Sequence, residues 1–343
     1  MLNHHTDAIL RTLVEQYIRT AVPVASESIA RQSPIKVSPA TVRNKMAELE
    51  ETGYIVRPHI SSGGMPSSKG YRFYVESLDN GLEPSIRLQE LVRNRFGEAA
   101  QNIEVWMEVA ASILSELSEN MAVVTYPKAP SPRIKQIQLV LIQELMALLV
   151  VVFPEARLRK YFVTLDDLYS QNELTVVANK LNEMYGGMGY TEILETPADL
   201  TPFEESVRQN TLTILQEDDS ESIADHAVDG IRLLLGQPEF LHEGKAQQII
   251  EIVEEKALVK DILTNQPEAD GVVVRIGGEN FDDNLNPFSV VVCRYGMPNE
   301  ASGVVAVMGP QRMRYGNVIS GVKFLSSLMS DLLYKIPNRR RRP

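Results

Sequence analysis

Ser38-Pro39-Ala40-Thr41-Val42-Arg43-Asn44-Lys45-Met46-Ala47-Glu48-Leu49-Glu50 reads as a short helix with one apolar face and one small, polar face. Ser38 suits the N-cap, where its hydroxyl accepts from a free amide, and Pro39 suits the first helical position, where a missing N–H costs nothing. Val42, Met46 and Leu49 recur at i, i+4 and i+7 on the apolar side, while Ala40, Thr41, Asn44 and Glu48 point away and Arg43 lies on the flank. Small residues let a backbone approach a duplex, Asn can pair bidentately with adenine, Thr can contact a base or phosphate, and Arg suits guanine or phosphate. Any amphipathic surface helix has a polar outside, so the setting of this one decides its reading.

Upstream, Ile9, Leu10, Leu13, Val14, Tyr17 and Ile18 form a helical stripe, broken at Ala21-Val22-Pro23 and followed by a short helix from about Ser26 to Arg31. The connection Gln32 to Val37 is short enough for a helix-turn-helix, although Pro34 lengthens the turn. Beyond Gly53, a helix stop, Tyr54 to Pro58 predicts a strand and Ser61-Ser62-Gly63-Gly64-Met65-Pro66 a tight loop. Three helices, a strand and a flexible loop make the order of a winged helix.

The segments Ser38 to Asn44, Glu48 to Tyr54, Pro58-His59 and Ser68-Lys69-Gly70-Tyr71-Arg72-Phe73-Tyr74-Val75 resemble the heat-inducible transcription repressor family. Far downstream, Val274-Arg275-Ile276-Gly277-Gly278-Glu279-Asn280 and Gly303 to Tyr315 are similar to the C-terminal motifs of that family, so the resemblance spans nearly the whole chain. It implies a dimeric repressor that binds an inverted-repeat operator upstream of chaperone genes, with its active state supported by the chaperonin. It also implies an α+β multidomain fold: a winged helix, a GAF-like α/β sheet domain, and a dimerising domain inserted into that sheet domain.

Along the chain, this plan predicts a winged helix over 1–78, a helical linker over 79–102, and a discontinuous GAF-like domain over 103–165 and 265–337. An acidic, helical dimerising insertion over 166–264 and a basic tail over 338–343 complete it. Ile134 to Leu141, Met146 to Phe153 and Leu158 to Val163 read as strands before the insertion, and Gly271 to Ile276, Phe288 to Tyr295 and Gly303 to Met308 as strands after it. Helical spacing marks Leu174 to Tyr185, Glu204 to Gln216, Ile231 to Leu235, Ala246 to Leu263 and Val318 to Tyr334.

A net charge of −11 suits DNA poorly until it is divided. Residues 1–77 carry 9 Lys/Arg against 7 Asp/Glu, whereas 166–261 carry 6 against 21, so the acidity sits away from the expected DNA face. The small basic excess predicts weak affinity for an isolated monomer. With no apolar run of about 18 residues and no signal-like N-terminus, a cytoplasmic protein with no membrane association is expected. The single cysteine, Cys293, excludes an internal disulfide framework and reads as a buried strand residue.

Enzyme readings fail on spacing. In Gly63 to Gly70, Lys69 precedes its glycine, so the phosphate-loop order is absent, and Gly277-Gly278 lacks the third glycine of a dinucleotide fingerprint. His4, His5, His59, His226 and His242 have no spaced companions for a metal, and no cofactor is indicated. The expected DNA-binding residues are Thr41, Arg43 and Asn44 for bases or adjacent phosphate, Ser38 and Lys45 for backbone positioning, and Lys69 and Arg72 for phosphate beside the wing. Where the family usually has Arg-Ile-Pro-Thr, this chain has Gly64-Met65-Pro66-Ser67, so a basic wing-tip contact is expected to be missing. The basic run Arg339 to Arg342 could also touch phosphate. The alternative function is a ligand-sensing regulator whose GAF-like domain binds a small molecule through Arg275, Glu279 and Asn280; a structural network explains the same residues.

Overall fold

Burial of one helical stripe sets the N-terminal architecture. In α1 (His4–Thr20), Ile9, Leu10, Leu13 and Val14 are fully buried against Ile29 of α2 (Ser26–Gln32) and Val42, Met46 and Leu49 of α3 (Pro39–Glu51). Gln16 joins the first two helices, donating to the Ser28 carbonyl and accepting from its hydroxyl. The α3 helix ends on Gly53, whose φ of +77° places it in the left-handed region. There Gly53 N–H donates to Glu50 and Tyr54 N–H to Leu49, which satisfies carbonyls the helix leaves open. The chain then forms a narrow antiparallel ribbon, β1 (Ile55–Val56) with β2 (Met65–Pro66), and enters α4 (Ser68–Glu76), capped by Ser67. This is a winged helix.

The computed structural model describes residues 4–57, 62–78, 84, 86–98, 103–128, 132–154, 157–220, 226–241, 245–254, 257–265, 271–297 and 301–338. Pro58, His59 and Ser61 of the wing, His242, and the basic run Arg339 to Arg342 lie outside them. Two compact units emerge, one of 1–126, 226–295 and 303–343, the other of 127–225 with 296–302.

The first unit carries the winged helix and a five-stranded antiparallel sheet. Its strands are β3 (Met121–Thr125), β7 (His226–Asp229), β8 (Val272–Ile276), β9 (Phe288–Gly296) and β10 (Ser302–Pro310), in the order β7-β3-β10-β9-β8. Helices α5 (Ile86–Glu98), α6 (Ile103–Ser118) and α13 (Tyr315–Asn338) share one apolar core with this sheet and the winged helix. Val92 and Phe96 of α5 are buried in that core, so the expected linker is a docked helix. Cys293 is buried in β9, its Sγ 3.3 Å from Ser326 Oγ on α13. The same unit holds α10 (Ile231–Leu235), α11 (Lys245–Glu254) and α12 (Ala257–Thr264).

The second unit is a three-stranded meander, β4 (Gln136–Gln143), β5 (Met146–Val152) and β6 (Leu158–Thr164), with α7 (Gln171–Tyr185), α8 (Tyr190–Glu195) and α9 (Pro202–Ser220). Strict alternation buries Ile137, Leu139, Ala147, Leu149, Val151 and Val163 against Leu174, Ala178 and Leu181 of α7 and Val207 of α9. A reciprocal capping box between Ser170 and Glu173 starts α7.

This division corrects the expected domain boundaries. The strands β4 to β6 pair only with one another among the described residues and do not join the GAF-like sheet, whereas 226–264 returns to the first unit and supplies its edge strand β7. An alternating strand pattern states which face is buried but not which sheet it joins.

Candidate nucleic-acid interface

The N-terminal end of α3 is built as the sequence implies. Ser38 Oγ accepts from Thr41 N–H at 3.1 Å and lies 2.9 Å from Thr41 Oγ1, with Pro39 in the first turn. Pro39, Ala40, Thr41, Arg43 and Asn44 are all exposed, while Val42, Met46 and Leu49 are buried. Ser38, Thr41, Arg43 and Asn44 therefore share one open patch at the positive end of a helix dipole, which favours phosphate nearby. The Asn44 amide has no hydrogen-bond partner within the described residues, leaving both of its ends open to a base edge.

The cations of this face are not bare. Arg43 Nη2 lies 3.2 Å from Glu27 Oε1 on α2, and Lys45, half-buried, donates to Glu48 at 2.6 Å. Arg57 bonds Glu50 beside the ribbon. Glu27 was not anticipated, because its link to Arg43 crosses 16 residues and leaves no periodic trace.

Lys69 lies at the other end of the recognition helix. Its ammonium donates to the Thr52 carbonyl at 2.9 Å and sits 4.3 Å from the centre of the Tyr54 ring, so it caps the α3 C-terminus and does not join the Ser38 to Asn44 patch. Arg72 corrects the expectation more firmly. Its guanidinium bonds Glu279 through Nε, at 2.9 Å, and through Nη2, and Nη2 also donates to the Val274 carbonyl at 2.6 Å. This arginine faces the sheet domain, where its charge is already matched.

Gly64 also departs from expectation. It is buried at the base of the wing, its N–H and C=O both bonded to Val24, and a Cβ there would lie 2.9 Å from Met46 Cε and 3.1 Å from Ile55 Cδ1. The position belongs to the winged-helix core and not to the wing tip.

The residues considered for a ligand are likewise engaged internally. Arg275 is buried, pairs with Asp261 at 2.7 Å and donates to the Asn265 carbonyl; Asn280 Nδ2 donates to the carbonyls of Gly277, Leu285 and Phe288. Glu279 accepts from Ile276 N–H as well as from Arg72. Burial pushes the Asp261 carboxyl up despite Arg275. Glu279 moves down: burial opposes ionisation, but the bonds from Arg72 and Ile276 outweigh it. No trio of His, Cys, Asp or Glu among the described residues is placed to hold a metal ion, and no helix there is long and apolar enough to cross a membrane.

Residues 1–77 match the winged helix-turn-helix DNA-binding domain of the HrcA transcription repressors, and residues 104–319 match the HrcA protein C-terminal domain. The chain belongs to the HrcA family. A heat-inducible transcription repressor HrcA of Dehalococcoides mccartyi (strain ATCC BAA-2100 / JCM 16839 / KCTC 5957 / BAV1) is 36% identical over 336 residues, covering 98% of this chain and 97% of its own. One of Herpetosiphon aurantiacus is 33% identical over 342 residues, covering 97% and 95%. A crystal structure of a hypothetical protein shares the fold, with a TM-score of 0.63 at 22% identity over 98% of this chain and 99% of that one. HrcA is a family of DNA-binding transcription repressors and not a class of enzymes.

Proposed function

We propose that the protein represses heat-shock genes by binding an inverted-repeat operator as a dimer, with Thr41, Arg43 and Asn44 reading bases or adjacent phosphate and Ser38 and Lys45 positioning the backbone. The observation that carries this reading is the open, capped N-terminal face of α3, with the unpartnered Asn44 amide at its centre. Two-fold pairing would set two such helices on successive half-sites. The outer face of the β4 to β6 sheet supports pairing through the second unit: Val140, Leu148 and Phe162 form one cross-strand row, and Phe162 is 65% exposed with Leu158 beside it at 48%. Heat would lower operator occupancy by loosening the folded dimer, and the family resemblance makes the chaperonin the modulator that restores it. Such a repressor works in the cytoplasm, where its operator is.

Selection from random duplex DNA with purified protein tests the reading, followed by Asn44→Ala on the recovered site. An inverted repeat is expected, and the variant should lose roughly 1 to 3 kcal/mol with relaxed preference at one position per half-site. Recovery of no preferred sequence, or a loss uniform over all sequences, contradicts it. Phe162→Asp should shift the protein towards monomer in sedimentation; an unchanged dimer would exclude that sheet face from the interface.

A further inference from the structure

Several bonds hold the winged helix to the GAF-like sheet, all within the first unit. Besides Arg72 on Glu279 and Val274, Ser68 Oγ donates to Gln311 Oε1 at 3.0 Å, and Arg312 Nη1 donates to the Ile18 carbonyl at the end of α1, at 2.7 Å. Each anchor is itself fixed. Arg312 is gripped by Glu239 at 2.6 Å and Gln237 at 2.9 Å, and Glu279 is held from behind by the Ile276 amide. Buried Tyr71 packs between them, its ring centre 6.1 Å from that of Tyr315. The anchors engage α4 at Ser68 and Arg72 and α1 at Ile18, so no single hinge axis passes through all of them.

We propose that Arg72 is a positioning residue for operator recognition: with Glu279 it clamps the winged helix at one angle on the sheet domain, and thereby sets the separation of the two recognition helices in the dimer. The proposal rests on the dimeric operator reading above. Small angles matter here. A tilt of about 10° swings the far end of a helix roughly 20 Å long by about one base-pair step of ~3.4 Å. An exposed ion pair would be a weak clamp, but this one is two-pronged, partly buried and extended by a main-chain carbonyl.

The test compares full-length wild type, Arg72→Glu, Glu279→Arg and the charge-swapped double variant on the selected operator and on versions with the half-sites moved by one or two base pairs. Wild type is expected to prefer its own spacing by tenfold or more, Arg72→Glu to cut that ratio to about threefold or less, and the double variant to restore it, with the salt dependence unchanged throughout. Arg72→Gln, which removes the charge without adding repulsion, moves the ratio the same way should Arg72→Glu fold poorly. A wild-type spacing ratio in the single variants overturns the clamp. So does an equal loss at every spacing with a salt slope lowered by about one, the mark of a phosphate contact. Spin labels at exposed Glu51 and Arg232 give a readout without DNA: the distance distribution should broaden in Arg72→Glu and sharpen again in the double variant, and an unchanged width overturns the proposal. If wild type shows no spacing preference, the two-fold operator reading fails while the label distances still decide the clamp.

Discussion

Arg43 on the recognition helix and Glu27 on α2 meet at 3.2 Å with both side chains more than half exposed. The Glu27 carboxyl lies below its usual range, held there first by its own backbone amide and further by Ser26 and Arg43. A carboxylate so placed repels phosphate and competes with it for the arginine, which lowers affinity for DNA in general more than for a site offering Arg43 a base edge. Glu27→Gln should therefore tighten binding to random duplex a few-fold at low salt while changing operator binding less. Competition assays give the ratio of the two affinities, which must fall.

Gly64 at the base of the wing predicts the effect of restoring the arginine common in the family. A Cβ would press on Met46, Ile55 and Leu13, so Gly64→Arg should destabilise the protein by about 1 to 3 kcal/mol through overpacking. Thermal unfolding reads this directly. An unchanged melting temperature would mean that the core relaxes without cost.

The Glu279 carboxyl, lowered below its model value of 4.5, ties the clamp to pH. A carboxyl whose pKa is lower folded than unfolded adds stability that is complete above about 4.5 and is lost as pH falls through the folded value. Acid should thus loosen the winged helix, and Glu279→Gln should flatten the fall in stability below that pH. Chemical denaturation at pH 7, 5, 4 and 3 measures it; parallel curves for wild type and variant would remove Glu279 from the linkage.

Arg275 and Asp261 form a pair with only 8% and 2% of their side chains exposed. Removing the cation leaves a buried, uncompensated carboxylate, so Arg275→Ala should cost about 3 to 5 kcal/mol at neutral pH. Arg275→Ala/Asp261→Asn should recover part of that loss. Urea titration of the single and double variants checks the order, and a single variant as stable as wild type contradicts it.

Local pattern made the winged helix legible: the Ser38 cap, the Pro39 start, the Val42, Met46 and Leu49 stripe and the Gly53 stop act over a few residues each. The strands of the GAF-like sheet after residue 271 were equally readable, because each is a bounded apolar run. Two others were not. Met121 to Thr125 is buried at every position, so it shows no alternation, and His226 to Asp229 is only four residues long. Sheet membership of β4 to β6 and the true role of Arg72 were hidden for another reason. Both are settled by tertiary partners, and Glu279 lies 207 residues from Arg72.

The pairing of Val124 with Val305 in β3 and β10 has a consequence for how the molecule comes into being. The second unit is a meander of neighbours and can form from contiguous chain, whereas the sheet that seats the winged helix must wait for a strand made near the end of synthesis. The recognition helix leaves the ribosome early, yet the partners that fix its angle, Glu279 and Arg312, are among the last residues translated. Each molecule thus spends most of its synthesis with a finished reading head and no mount for it.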